Sequence, residues 1–211
     1  MKEKGYSNAV LLEHPLIQHK ITLLRDKNTK PKEFRELVKE LTALMAYDLT
    51  ADLQLDDQLI ETPLGEFLGK TLRNNIVILP ILRAGLGMAE SLLILLPNAK
   101  TGHIGVYRDE KTTNPVFYYQ KLPSLLGAHV LLLDPMLATG GSASYCIDLL
   151  KGNKCRNIKL ACLIAAEAGV MRLKKEHPDV MIYTCAIDKI LDSRAYIVPG
   201  LGDSGDRQFN T

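Results

Sequence analysis

Signatures of metal binding and disulfide bonding are missing from this chain. Its four cysteines, Cys146, Cys155, Cys162 and Cys185, include no Cys-x-x-Cys pair, and no two of its five histidines are spaced to share a helix face. The first absence leaves buried free thiols as the expectation, and the second leaves an imidazole-based metal site without support. Charge of one sign is also missing: 26 basic residues against 24 acidic give a formal +2, with no like-charged run longer than a pair such as Lys174-Lys175. Nothing in the charge announces a nucleic-acid partner. No apolar run approaches the length of a bilayer span, and the opening MKEKGYSNAV has no apolar signal core, so a soluble cytoplasmic protein with no membrane partner is expected. Internal repeats and low-complexity linkers are absent too. With 46% hydrophobic residues, one domain over 1–211 is expected.

The apolar pattern that is present changes along the chain. From Pro31, residues Phe34, Leu37, Val38, Leu41, Leu44 and Met45 recur at three and four, which predicts an amphipathic helix, and Ile17, Ile21 and Leu24 predict a shorter one before it. Further on, short apolar runs at 76–79, 130–133, 158–165 and 180–187 read as strands buried on both faces. Between them lie helical segments near 86–96, 142–151 and 169–177. That alternation predicts a mainly parallel sheet covered on both sides. Residues 106–122, VYRDEKTTNPVFYYQKL, break the rhythm with two alternating stretches around a polar turn at Thr113-Asn114-Pro115. They predict a hairpin, either packed at the sheet edge or projecting as a dimer contact or lid. The last stretch, YIVPGLGDSGDRQFNT over 196–211, is too rich in glycine to predict a helix or strand. Ile197, Val198, Leu201 and Phe209 are nonetheless spaced so that it can pack back onto a body.

In open parallel sheets, ligands bind beyond the carboxyl ends of the strands. After the strand ending at Leu133 comes DPMLATGGS, 134–142, followed by a helix. Gly140 and Gly141 let backbone N–H groups converge, Thr139 and Ser142 add hydroxyls, and the helix N-terminus adds positive potential: an anion cradle suited to phosphate. No Gly-Lys-Ser/Thr follows it, and Gly85 and Gly87 lack the third glycine of a dinucleotide fingerprint. Asp134, just before the cradle, can accept hydrogen bonds from ligand hydroxyls, and a phosphate close to a diol points to a ribose 5-phosphate. PILRAGLGM, 80–88, sets Arg83 on a loop at another strand end, and Arg108 opens the hairpin. Two guanidiniums beside the cradle point to a second polyanionic site.

LLLDPMLATGGS resembles the phosphoribosyl-pyrophosphate signature of the type I phosphoribosyltransferases, and Pro135 gives it the form of the uracil phosphoribosyltransferase branch. PILRAGLGM, YRDEKTTNPVFYYQKLP, the helix leading into YDLTADL, and YIVPGLGDSGDRQF carry the same resemblance, which spans nearly the whole chain. It implies a mainly parallel twisted sheet flanked by helices, with N-terminal helices, a projecting hairpin arm at 106–122 and a base-recognition tail at 196–211. It implies conversion of uracil and phosphoribosyl pyrophosphate (PRPP) to UMP and pyrophosphate in pyrimidine salvage. Asp134 would hold the ribose hydroxyls. Pro135, Met136, Leu137, Ala138, Thr139, Gly140, Gly141 and Ser142 would complete the PRPP loop around the 5-phosphate, and Arg83 and Arg108 would bind the pyrophosphate group. Ile197, Gly202, Asp203 and Ser204 would read uracil, with Asp203 also near the ribosyl donor.

Asp203, Arg83 and Arg108 are thus the candidate catalytic residues. Asp203 would take the N1 proton, a metal-associated water being the other candidate. Mg²⁺ is implied as cofactor, held mainly through the substrate. A homodimer or a multiple of it is implied, and GTP, which activates some members, is the effector the resemblance admits. The sequence departs from the family pattern at Ala195 and Asn210, where glycine is usual, and at Glu167-Ala168-Gly169, where Pro-Glu-Gly is common. An RNA-binding regulator on the same scaffold is the reading from another class, and it requires a basic face that the near-neutral charge does not provide.

Overall fold

The computed structural model describes residues 7–73, 75–108 and 115–211, the side chain of Arg108 excepted. After the short strand β1 (Ala9–Leu11) come helices α1 (Pro15–Arg25) and α2 (Pro31–Leu49), each entered through a proline whose missing N–H has no partner to lose there. The expected stripes are buried, Ile17, Ile21 and Leu24 on α1 and Phe34, Leu37, Val38, Leu41 and Met45 on α2, except that Leu44 is only half-buried. Among the described residues, strands β2 (Leu55–Thr62) and β3 (Gly65–Leu72) then pair only with each other, as an antiparallel hairpin separate from the main sheet.

The main sheet follows: β4 (Ile76–Leu82), α3 (Leu86–Leu95), β5 (Lys100–Thr101), β6 (His103–Arg108), β7 (Pro115–Lys121), β8 (His129–Leu133), β9 (Met136–Leu137), α4 (Gly141–Gly152), β10 (Asn157–Ala166), α5 (Glu167–Glu176) and β11 (Met181–Asp188). The strand order is β1-β11-β10-β8-β4-β6-β7, with β5 beside β4 and β9 beside β10. Every pairing in it is parallel except β6 with β7. Side chains alternate between two cores, as the period of a strand requires. Ile76, Ile78, Leu131, Leu133, Ala161 and Leu163 pack beneath α1, α2 and α3, while Val77, Leu79, Val130, Leu132, Leu160 and Cys162 pack beneath α4 and α5. The doubly covered sheet is the architecture that the unbroken apolar runs predict. All four cysteines are buried and free, and burial pushes the Cys162 thiol up to about 12. Among the described residues, no helix is long and apolar enough to cross a membrane.

Both strands expected within 106–122 form, at the edge of the sheet; their turn at Thr113-Asn114 lies outside the described residues. The hairpin that stands apart is β2–β3, which no sequence signal above marks. The tail also differs from expectation. β12 (Ile190–Leu191) pairs antiparallel with β13 (Ile197–Val198), and α6 (Ser204–Phe209) closes the chain, where neither helix nor strand was predicted. Ile197 and Leu201 are buried as expected, whereas Val198 and Phe209 stay about 40% exposed.

Long-range side-chain contacts supply the order that local propensity lacks. Arg25 makes a forked contact with Asp188 at 2.7 and 2.8 Å and donates to the Gly200 carbonyl at 2.8 Å, while Asp188 accepts the Gly200 N–H at 3.0 Å. Arg207 donates to the carbonyls of Leu24, Leu201 and Asp26 and lies 4.4 Å above the Phe34 ring. Gln208, 1% exposed, donates to the Ala84 carbonyl, and Arg35 donates to the carbonyl of Gln208. Asp188 is only 9% exposed, so removing it strands a guanidinium and the Gly200 N–H. Asp188→Ala is expected to cost about 2–4 kcal/mol in urea unfolding. Glu36→Ala, which breaks the exposed Lys32–Glu36 pair at 3.9 Å, is expected to cost less than about 0.5 kcal/mol.

Candidate active site

The chain leaves β4 at Leu82 and β8 at Leu133, neighbouring parallel strands, so their following loops meet at one edge. They meet backbone to backbone. A methyl group on Gly85 would lie 2.5 Å from the Leu133 carbonyl oxygen, and one on Gly169 would lie 2.5 Å from that of Ala138. No other residue fits at either position without moving main chain. The loop after β8 is therefore gripped on one side by the β4 loop and on the other by the start of α5. Pro135 secures it further, its carbonyl accepting the N–H groups of Leu163 and Ile164 at 3.0 and 3.1 Å.

Gly140 caps α4 with φ +79°, a conformation in which a side chain is strained, and turns the chain so that the first amides of the helix open outward. The Gly141 N–H leans on the Thr139 hydroxyl at 3.4 Å, and the Ser144 N–H starts the helix on the Gly140 carbonyl at 2.8 Å. These amides and hydroxyls face a cleft of about 890 Å³. The expected residues Arg83, Asp134, Met136 to Ser142, Ile197, Gly202, Asp203 and Ser204 all line it. Pro135 does not, being turned to β10. Arg108 ends β6, and its side chain lies outside the description.

Asp203 is the N-cap of α6, its Oδ1 accepting the Asp206 N–H at 2.9 Å. Arg83, more than half exposed, rests 5.6 Å from the Phe209 ring centroid, with Nη2 3.4 Å from the Thr211 hydroxyl and 3.5 Å from Asp206 Oδ1. Contacts this exposed hold a side chain loosely. Sequence reasoning missed Tyr107, Tyr118, Ser193, Arg194, Tyr196 and Asp206, which also line the cleft. The signal for three of them was the short run Ile190-Leu191 before a polar Asp192-Ser193, a hairpin turn that brings 193–196 to the cleft. Asp192 closes that turn, its carboxylate accepting the N–H groups of Arg194 and Tyr196 at 2.9 and 2.8 Å.

Comparison with known proteins agrees with this geometry over almost the full length. The sequence pattern described as uracil phosphoribosyltransferase matches residues 10–211. The chain belongs to the uracil phosphoribosyltransferase family. A curated uracil phosphoribosyltransferase of Dictyoglomus turgidum is 54% identical over 204 residues, covering 96% of this chain and 99% of the relative. That of Listeria innocua is 52% identical over 207 residues, covering 97% and 99%. A solved structure of an Aquifex aeolicus protein superimposes with a TM-score of 0.92 at 38% identity, covering 95% of this chain and 97% of that one.

Two departures from the family's glycine pattern fall where the backbone explains the glycine. Ala195 has φ +62° and Asn210 φ +59°. Asparagine tolerates the left-handed region, but alanine does not, so Ala195 holds local strain in the turn beside the cleft. Ala195→Gly is expected to raise stability by about 0.5–1 kcal/mol, the relief of strain outweighing glycine's extra freedom in the unfolded chain. Urea denaturation of the two proteins measures it.

Proposed function

We propose that the cleft carries out its family's reaction, transferring the 5-phosphoribosyl group of PRPP to N1 of uracil to give UMP and pyrophosphate. One observation carries the reading: the phosphate cradle and the peptide loop 202–204 line the same cleft, and Asp134 and Arg83 line it with them. The bond from the anomeric carbon to pyrophosphate breaks, the bond from that carbon to N1 forms, and the N1 proton leaves. Charge separates as the sugar becomes cationic in character, so fixed charges and dipoles aimed at the parting groups lower the barrier. The cradle, Gly140 to Ser142 with Thr139, binds the 5-phosphate through amides and hydroxyls, and Asp134 accepts from the ribose hydroxyls. Arg83, swinging from its loose contacts at Asp206 and Thr211, takes the pyrophosphate, with Arg108 as its second cation.

Among the described residues no three His, Cys, Asp or Glu side chains cluster to hold a metal ion. The cleft does offer the separate carboxylates Asp134, Asp203 and Asp206, hard oxygen donors of the type Mg²⁺ accepts, so an ion carried in on the substrate fits them. Bound there, Mg²⁺ neutralises charge on the leaving pyrophosphate.

Uracil is read by main-chain groups of Ile197 and 202–204, whose fixed donors and acceptors leave cytosine's altered edge unpaired. Asp203 receives the N1 proton, directly or through water. Asparagine is as good an N-cap as aspartate, so Asp203→Asn keeps α6 intact while abolishing the acceptor. It is expected to lower kcat by about 100-fold or more, measured as pyrophosphate release; near-normal turnover in Asp203→Asn with loss in Asp203→Ala would assign Asp203 a positioning role instead. With a panel of free bases, uracil is expected to be preferred over cytosine by about 10⁴-fold.

A second copy of the chain belongs to the same reading. Leu59, Phe67 and Leu68 of β2–β3 are each more than half exposed, on a two-stranded hairpin that pairs with no other strand. Such a hairpin is marginal by itself and gains from burial against a partner. Sedimentation is expected to find a dimer or a multiple of it, and Phe67→Asp with Leu68→Asp to shift it toward monomer.

A further inference from the structure

Behind the phosphate cradle lies a cation that no motif marked. Arg172 of α5 does not line the cleft, yet its side chain lies against the two glycines of the cradle. A methyl group on Gly140 would sit 3.4 Å from its Cδ, and one on Gly141 would sit 3.3 Å from its Nη1 and 3.6 Å from the Thr139 hydroxyl. Arg172 donates through Nε to both oxygens of Glu176, at 3.1 and 3.0 Å. Neither Nη has a hydrogen-bond partner among the described residues, and Nη1 lies beside Gly141.

Glu176 is itself held in place. Its Oε2 accepts from the Ser144 hydroxyl at 2.6 Å, and the same hydroxyl oxygen lies 2.9 Å from Nε2 of the buried His177. A serine hydroxyl has one proton, and Glu176 can only accept, so His177 donates from Nε2 to Ser144. Nδ1 of His177 then accepts from Lys151, 3.3 Å away. Hydrogen bonds thus run in one direction, from Lys151 through His177 and Ser144 to Glu176, and fix the carboxylate that aims Arg172. Hydroxyl donation from Ser144, with Arg172 adding to it, holds the Glu176 carboxyl below the usual range.

We propose that Arg172 is a further positioning residue for the phosphoribosyl substrate, supplying positive charge to the back of the cradle where the 5-phosphate binds. The inference rests on the function proposed above. A guanidinium stays charged at any working pH, and across two glycines no side chain separates it from the cradle. Glycine at 140 and 141 is then required on both sides of the loop, by the ligand in front and by Arg172 behind.

The test compares UMP with uridine, which lacks the phosphate, by calorimetric titration of the whole protein. Arg172→Met is expected to weaken UMP about three- to fivefold, the range for a half-exposed charge interaction, and to leave uridine unchanged. The KM for PRPP is expected to rise by a similar factor while kcat holds. Arg172→Lys, which keeps the charge, is expected to stay within about twofold of wild type, and Lys175→Met, removing another exposed cation of α5, to match it. Unchanged UMP affinity in Arg172→Met overturns the proposal, as does a parallel loss of UMP and uridine, which would mean altered loop shape. A loss in Arg172→Lys as large as in Arg172→Met, or an equal loss in Lys175→Met, overturns it too. If wild-type protein itself fails to prefer UMP over uridine, the reading of the cradle fails, and not merely the role of Arg172.

Discussion

The cleft depends on main chain touching main chain. Gly85 against the Leu133 carbonyl and Gly169 against that of Ala138 bring three loops of a parallel sheet closer together than any side chain permits. Their reward is density of peptide groups: within one cavity the protein presents helix-start amides, strand-end carbonyls and a carboxylate, none of which has to be ordered when a ligand arrives. Widening either contact by a methyl group would move the β8 loop as a unit, and with it the cradle and Asp134 together.

A surface made of peptide groups cannot hold itself in shape, and the tail shows how this is met. Its cleft side carries glycines and a helix N-terminus, while its rear carries Arg207 and Gln208 and receives Arg25 and Arg35. Charged and amide side chains thus work at a distance from the ligand, each satisfying carbonyls that would otherwise be buried without partners. Arg172 and the groups that aim it repeat the arrangement behind the cradle.

How much of this the sequence discloses follows from where each element finds its stability. Strands buried on both faces must be apolar throughout, so β4, β8, β10 and β11 were legible, as were α1 and α2 from their stripes. The cradle was legible because two glycines before a helix have few other uses. β2–β3 was not, because Leu59, Phe67 and Leu68 face outward and alternate with nothing in the body of the chain. β12, β13 and α6 escaped because they are ordered by Arg25, Asp188 and Arg207, contacts made across more than 160 positions. The Pro135 carbonyl ties the loop to β10, a contact that only the pairing of β9 and β10 discloses.

Those tail contacts differ from the contacts around the cradle in sequence distance. The cradle joins 134–142 to Gly169, a span that a single β-α-β-α passage closes. The loop around 200–204 is tied instead by contacts of Leu24, Arg25 and Asp26 with Gly200 and Arg207, joining the first helix to the last. Closing so long a loop costs more chain entropy than closing the shorter one. On the function proposed above, the residues for the phosphate are thus gathered by contacts close in sequence, and those for the base by contacts between the first helix and the last.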